Sequence, residues 1–223
     1  MTTTNAIIDL SHFNQNVDFV AAQASGIVGV IHKASQGLTF RDPVYTAHRA
    51  SATSAGLRWG AYHFGTGADA VAQADNFLNI AKPDTRTLLV LDFETNPQGS
   101  SMTLEGAREF ATYLRATTGR WPGIYSGWRL KSLLGTNHDP ILAKCWLWLA
   151  QYGPVAVFPQ NWVTWTLWQY TDGAQGPAPH SVPGVGACDR NLYHGDDAAL
   201  AAFLTPASHF GDLGTSCREE LSP

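Results

Sequence analysis

The chain has 223 residues, 44% hydrophobic and only 14% charged, with a formal net charge of -4. This composition excludes disorder and leaves room for one α/β barrel as a single domain. No stretch approaches the ~18 consecutive apolar residues of a membrane span. Lys and Arg stand singly along the chain, so no basic stripe is available for nucleic acid. Residues 1–5 have neither a basic nor an apolar leader character, which predicts synthesis in the cytoplasm without a secretion signal.

Apolar runs bounded by turn residues fall at 6–10, 29–34, 59–64, 87–93, 123–126, 145–151, 165–170 and 187–192. Several are continuous rather than alternating, as parallel strands covered on both faces require. Between the early runs, Val17, Val20, Ala21 and Ala24 follow a helical period up to Gly26. A second helical segment covers 70–80 before Pro83. A third places Leu104, Ala107, Ala111 and Leu114 between a Thr103 cap and Gly119. The stretches 152–163 and 171–186 are rich in Gly, Pro and Asn and read as loops, and a last helix is expected near 196–203. The predicted fold is therefore α/β, a degenerate eightfold barrel of five β/α units followed by three strands, (β/α)5(β)3. The barrel spans 1–204, and a polar tail covers 205–223.

Cys145, Cys188 and Cys217 form no Cys-x-x-Cys pair, and the first two sit in apolar runs. They are expected to be reduced and mostly buried.

Barrel active sites lie at the C-terminal ends of the strands. Asp9 ends the first strand, Asp92 and Glu94 end the fourth, and Asp189 lies in the eighth, so the four acids are expected to meet at one mouth. Asp92 and Glu94 are two apart and share a strand face, with Cα atoms ~6.6 Å apart. Two carboxylates so close in a partly dry site cannot both ionise freely, so one stays protonated and can serve as a general acid. Glycoside hydrolysis needs that division of labour. The plainer alternative is a loop cap and a solvated rim acid. His63 and His12 are expected to complete a polar ring at the mouth. No His-Glu-x-x-His, Gly-x-Ser-x-Gly or Gly-x-Gly-x-x-Gly motif is present, so no metal, serine nucleophile or cofactor is predicted. Tyr125, Trp146, Trp148, Tyr152, Trp162, Trp165, Trp168 and Tyr170 cluster late in the chain. About half are expected in the core, and the rest as flat walls for sugar rings.

The order of these blocks is familiar. Ile8-Asp9-Leu10-Ser11, 30–37 around Lys33, 55–64 around Tyr62, Leu91-Asp92-Phe93-Glu94, Gly123-Ile124-Tyr125-Ser126, 147–152 around Trp148, Trp168-Gln169-Tyr170 and Cys188-Asp189-Arg190-Asn191 together resemble the family 25 glycoside hydrolases, the Chalaropsis-type lysozymes. The resemblance runs from residue 6 to about 204. It implies an N-acetylmuramidase that cuts the β-1,4 bond between N-acetylmuramic acid and N-acetylglucosamine in bacterial peptidoglycan. It further implies Glu94 as general acid and Asp92 as the group that stabilises the oxocarbenium-like centre or orients the substrate acetamide. Asp9 and Asp189 would be supporting acids, and Tyr62, Tyr125, Trp148 and Gln169 substrate contacts. Two departures stand out: Gln36 replaces a Glu common in the family, and Cys188 precedes Asp189 where Val is common.

Two further readings use the same residues: a chitinase-like hydrolase, disfavoured because Val90 stands where those enzymes carry a third acid, and a non-catalytic wall-binding barrel, disfavoured by the four acids. A metal-dependent polysaccharide deacetylase is a remaining alternative. A monomer is expected, with peptidoglycan as partner and neither nucleic acid nor membrane. Without a leader the enzyme would reach the wall after lysis or through dedicated secretion, as a phage endolysin or an injected effector, the latter with an immunity protein plugging its mouth. The acidic balance predicts that wall affinity comes from groove contacts and changes little with salt.

Overall fold

A computed structural model describes residues 2–205. Its elements are β1 (Thr3–Leu10), α1 (Phe19–Ala24), β2 (Gly29–Gln36), β3 (Phe40–Arg41), α2 (Tyr45–Ser54), β4 (Arg58–Phe64), α3 (Ala70–Ala81), β5 (Leu88–Asp92), α4 (Leu104–Thr118), β6 (Gly123–Ser126) and α5 (Trp128–Leu134). After a short 3-10 turn (Leu142–Lys144) follow β7 (Trp146–Ala150), β8 (Leu167–Thr171), β9 (Ser181–Val182), β10 (Gly186–Ala187), β11 (Asp189–His194) and α6 (Asp197–Phe203). All eight expected strands are present, and together they close into an α/β barrel. β1 pairs with β2 on one side and β11 on the other. Around the barrel β1, β2, β4, β5, β6, β7 and β8 run parallel to their neighbours, β11 is antiparallel to both β8 and β1, and the short β3 adds to β2 in antiparallel. The segment 171–186, expected to be loop alone, includes β9 and the start of β10, which pair as a small hairpin. The expected polar tail lies outside the described residues apart from Thr205, as does Cys217.

Local chemistry sets the helix ends. Asp18, Asp69, Thr103 and Asp196 each accept a backbone N–H from the first turn of the helix they precede, a cap worth ~1 kcal/mol. Gly119 ends α4 in the left-handed region at φ 75°, where a Cβ would be strained. The apolar faces of these helices pack on the outside of the barrel, through residues such as Phe77 and Phe110. A second core fills the barrel itself: Ile7, Ile31, Leu88, Val90, Trp148 and Leu167 point inward, and Leu200 and Leu204 of the last helical segment join them from below. The base is thus plugged, and the opposite end is left open for chemistry. Cys145 and Cys188 are buried free thiols.

Gly123 at the start of β6 lies against the Trp146 indole, and a Cβ there would overlap the ring. Gly123→Ala is expected to destabilise the fold by ~1–3 kcal/mol through overpacking. Thermal denaturation should then show a fall of about 2–4 °C per kcal/mol; an unchanged melting temperature would contradict this packing.

Candidate active site

Strand alternation decides which residues reach the mouth. Ile7 points into the barrel, so Asp9 does too; Val90 does the same for Asp92, and Glu94 follows two residues on. Asp189 arrives differently. It opens β11, and because that strand is reversed, its N-terminal end lies at the mouth, directly opposite Asp9 in the β1–β11 register. Asp9, Asp92, Glu94 and Asp189 line one pocket of about 210 Å³ with Tyr62, Tyr125, Trp148, Tyr152 and Gln169. All eight residues to which the family resemblance gives a role are therefore brought together.

Two amides organise the floor. Gln169 Nε2 donates to both Asp9 oxygens (3.0 and 3.1 Å) and to Asp189 Oδ2 (3.1 Å), while its Oε1 accepts the hydroxyls of Tyr125 (2.7 Å) and Tyr152 (3.0 Å). Asn191 Nδ2 donates to Asp9 Oδ2 at 2.8 Å and its Oδ1 accepts Trp148 Nε1 at 2.6 Å. Asp9 is thus surrounded by donors.

Burial and like charge hold protons in this pocket. Asp189 is pushed up to about 9, first by burial, then by the Asp9 charge and by the hydrogen bond the two carboxyls share. Burial also raises Asp9, against the pull of Asn191, Gln169 and Asp189. The opposed pair therefore holds one proton near neutrality, resident on Asp189. Asp92 is raised well above the ordinary carboxylate value by burial and then by the Glu94 charge, with Lys33 opposing. Glu94 is raised by burial and then by the Asp9 charge. Among the described residues Asp92 Oδ1 is buried without a hydrogen-bond partner, which adds to the cost of ionising this carboxyl.

One of the two histidines departs from expectation. Because Tyr62 faces inward, the next residue must face out: His63 is fully buried under the helices, hydrogen-bonded to Ser35 (2.9 Å) and Gln73 (3.3 Å) and stacked on Phe110. It belongs to the outer core, and burial drives its pKa down to about 3. His12 stays on the rim, paired with Asp42 at 2.9 Å. Among the described residues no His, Cys, Asp and Glu side chains group to hold a metal ion.

Of the eight late aromatics, Tyr125, Trp148 and Tyr152 line the pocket. Trp162, Trp165, Trp168 and Tyr170 are in the outer core, and Trp146 packs on Phe203 at the base. More of them are structural than the sequence suggested. Four residues were not singled out. Asn191 shares its strand face with Asp189, and Lys33 shares one with Ile31, so alternation could have found both. Lys33 Nζ donates to Gln36 Oε1 at 2.7 Å and lies 5.4 and 5.2 Å from the Phe40 and Phe64 ring centres. The amide at position 36 thus still holds this lysine. Tyr152 was counted only among the aromatics. Trp128, at the same end of the barrel as the mouth, is 76% exposed, and no periodicity marks it.

Buried, closely spaced acids beside aromatic walls at the open end of an α/β barrel are the arrangement that glycoside hydrolysis requires. Residues 8–178 match the model of the glycosyl hydrolases family 25, and the chain belongs to that family. It is 31% identical over 210 residues to Lysozyme M1 of Streptomyces globisporus, covering 87% of this chain and 69% of that protein. Over 185 residues it is 29% identical to the N,O-diacetylmuramidase of Chalaropsis sp, with 74% and 86% covered. The crystal structure of the bacterial lysozyme from Streptomyces coelicolor superposes with a TM-score of 0.78 at 31% identity, over 89% of this chain and 95% of that one.

The Asp189 proton has a measurable consequence. The unfolded chain releases it near 3.8 and the folded chain only near 9, so its stabilising contribution is full below the lower value and is lost as pH rises toward the upper one. Asp189→Asn keeps a donor toward Asp9 without the titration. Near pH 8 it should melt at least about 2–4 °C above the unmodified protein, the equivalent of ~1 kcal/mol, with the gap closing toward pH 4. A gap independent of pH would contradict the shared proton.

Proposed function

We propose that this chain is a muramidase that hydrolyses the β-1,4 bond between N-acetylmuramic acid and N-acetylglucosamine in bacterial peptidoglycan. The observation that carries the reading is the pocket in which Asp92 and Glu94 share too little water to ionise together, next to the Asp9–Asp189 pair. The names of its relatives, lysozyme and N,O-diacetylmuramidase, supply the substrate class.

In the free site, burial and the Glu94 charge favour the proton on Asp92. A bound sugar changes that balance. Its acetamide N–H is a donor for the Asp92 carboxylate, which lines the pocket, and a hydrogen bond to the ionised form favours ionisation. The proton then resides on Glu94, kept there by burial and the fixed Asp9 charge. Glu94 gives it to the glycosidic oxygen as the bond to the anomeric carbon breaks. Asp92 holds the acetamide in place or stabilises the positive charge at that carbon. Glu94, now a carboxylate, takes a proton from the water that completes hydrolysis. Tyr62 and Tyr125 stay neutral because burial raises both well above the ordinary phenol value. With Trp148 and Gln169 they contact the sugar, and the exposed Trp128 extends the aromatic wall.

The barrel works as a monomer on the wall. Synthesis in the cytoplasm with delivery by lysis or a dedicated secretion machine fits this activity, as does an immunity protein filling the mouth of an injected effector. No described helix is long and apolar enough to cross a membrane.

Glu94→Gln should fold normally and lose ~10²–10⁴ of its activity, the contribution of a general acid. Clearing of purified peptidoglycan at the unmodified rate would overturn the assignment. Activity should rise through the acidic range as the first proton of the Asp92–Glu94 pair leaves, and fall as the second leaves nearer neutrality. A flat profile between about pH 4 and 8 would argue against a shared proton.

A further inference from the structure

Basic residues that stand singly in the sequence are gathered by the fold at the end of the barrel opposite the mouth. A pocket of about 190 Å³ opens there between the C-terminal half of α2 and the loop joining α3 to β5, lined by Arg49, Arg58 and Arg86 with Asp84 and Trp59. Arg49 is fixed in place: its guanidinium donates to the carbonyls of Ala81 (2.6 Å) and Lys82 (3.0 Å) and to Thr87 Oγ1 (3.4 Å). Arg120 braces the same loop through the carbonyls of Thr85 (2.9 Å) and Asp84 (3.0 Å). The one carboxylate in the pocket is occupied by its own turn, with Asp84 Oδ1 accepting from Arg86 N, Thr87 N and Thr87 Oγ1 at 2.8–2.9 Å. The guanidiniums of Arg58 and Arg86 make no hydrogen bond or ion pair with the described residues, Arg86 bonding only through its backbone N–H. Two unengaged guanidiniums, with the anchored Arg49 beside them, thus face a concave site whose one carboxylate is held by its own turn through Oδ1.

We infer that this pocket binds a phosphate group, carried by an anionic phosphodiester polymer of the bacterial wall. Guanidinium forks match phosphate oxygens in geometry and charge, and the cavity admits one such group rather than the extended backbone of a nucleic acid. The choice of a wall polymer among phosphate carriers rests on the wall-hydrolase reading; the pocket itself does not. The acidic mouth and the basic base then give the molecule two ends, one that cuts glycan and one that holds the anionic polymer running beside it. On phosphate-bearing walls, retention becomes sensitive to salt, contrary to what net charge alone predicts.

The test titrates inorganic phosphate and then soluble poly(glycerol phosphate) into the full chain, following the arginine side-chain NMR signals. Saturable shifts of Arg58 and Arg86 are expected, with tighter binding of the polymer. The double variant Arg58→Gln/Arg86→Gln should bind about tenfold or more weaker for each guanidinium removed, yet cleave phosphate-free peptidoglycan at the unmodified rate. Absence of saturable shifts, or unchanged polymer binding by the double variant, would overturn the proposal. So would binding to DNA or to phosphatidylglycerol vesicles without binding to the polymer. Should the muramidase reading itself fail, the unmodified chain would leave phosphate-free peptidoglycan intact while phosphate binding persisted, so the two failures are distinguishable.

Discussion

The structure turns on a shortage of water around too many acids. Asp9 and Asp189 are opposed across two antiparallel strands, a position where like charges repel at close range, and both are desolvated. One shared proton and the donors of Gln169 and Asn191 make the arrangement tolerable. The remaining charge on Asp9 then acts on Glu94. An enzyme built this way stores instability in its site, since a carboxyl that prefers to stay protonated weakens the fold at the pH where it works.

The fold supplies the geometry through simple devices. Inward alternation stacks aliphatic residues at the base and acids above them on the same strands, so each acid stands on a packed support. The reversal of β11 brings its first residue, rather than its last, to the mouth. A register shift in β2 between Lys33 and Ser35 turns Ser35 outward to meet His63 while Lys33 stays over the barrel. Burial of α6 residues under the sheet closes the end where catalysis would gain nothing from an opening.

Much of this was legible in the sequence. Apolar runs bounded by turn residues marked every barrel strand to within a few residues, several of them continuous because strands covered on both faces bury most of their positions. Helix α4 was bounded by Thr103 and Gly119, whose cap chemistry is local. Helices α2 and α5 were not marked, since neither has a side-chain cap and α2 is low in large apolar residues. The direction of β11 cannot be read from six residues, so the Asp9–Asp189 opposition was invisible. His63 stands in antiphase to Tyr62 on β4, so alternation turns it toward the helices and away from the mouth. The basic pocket depends on residues far apart in the chain, whose meeting only the tertiary fold determines.

Segregated charge links these observations, with protons retained at one end and guanidiniums exposed at the other. The central claim is that the mouth keeps protons that ordinary carboxyls would have lost. Site-resolved carbon-13 NMR titration of the four mouth carboxyls, repeated in Asp9→Asn, tests it most directly. The account predicts that Asp189 and one member of the Asp92–Glu94 pair titrate far above the usual carboxylate range, and that removing the Asp9 charge moves Glu94 downward. Four carboxyls titrating as they do in short peptides, unmoved by that substitution, would contradict it.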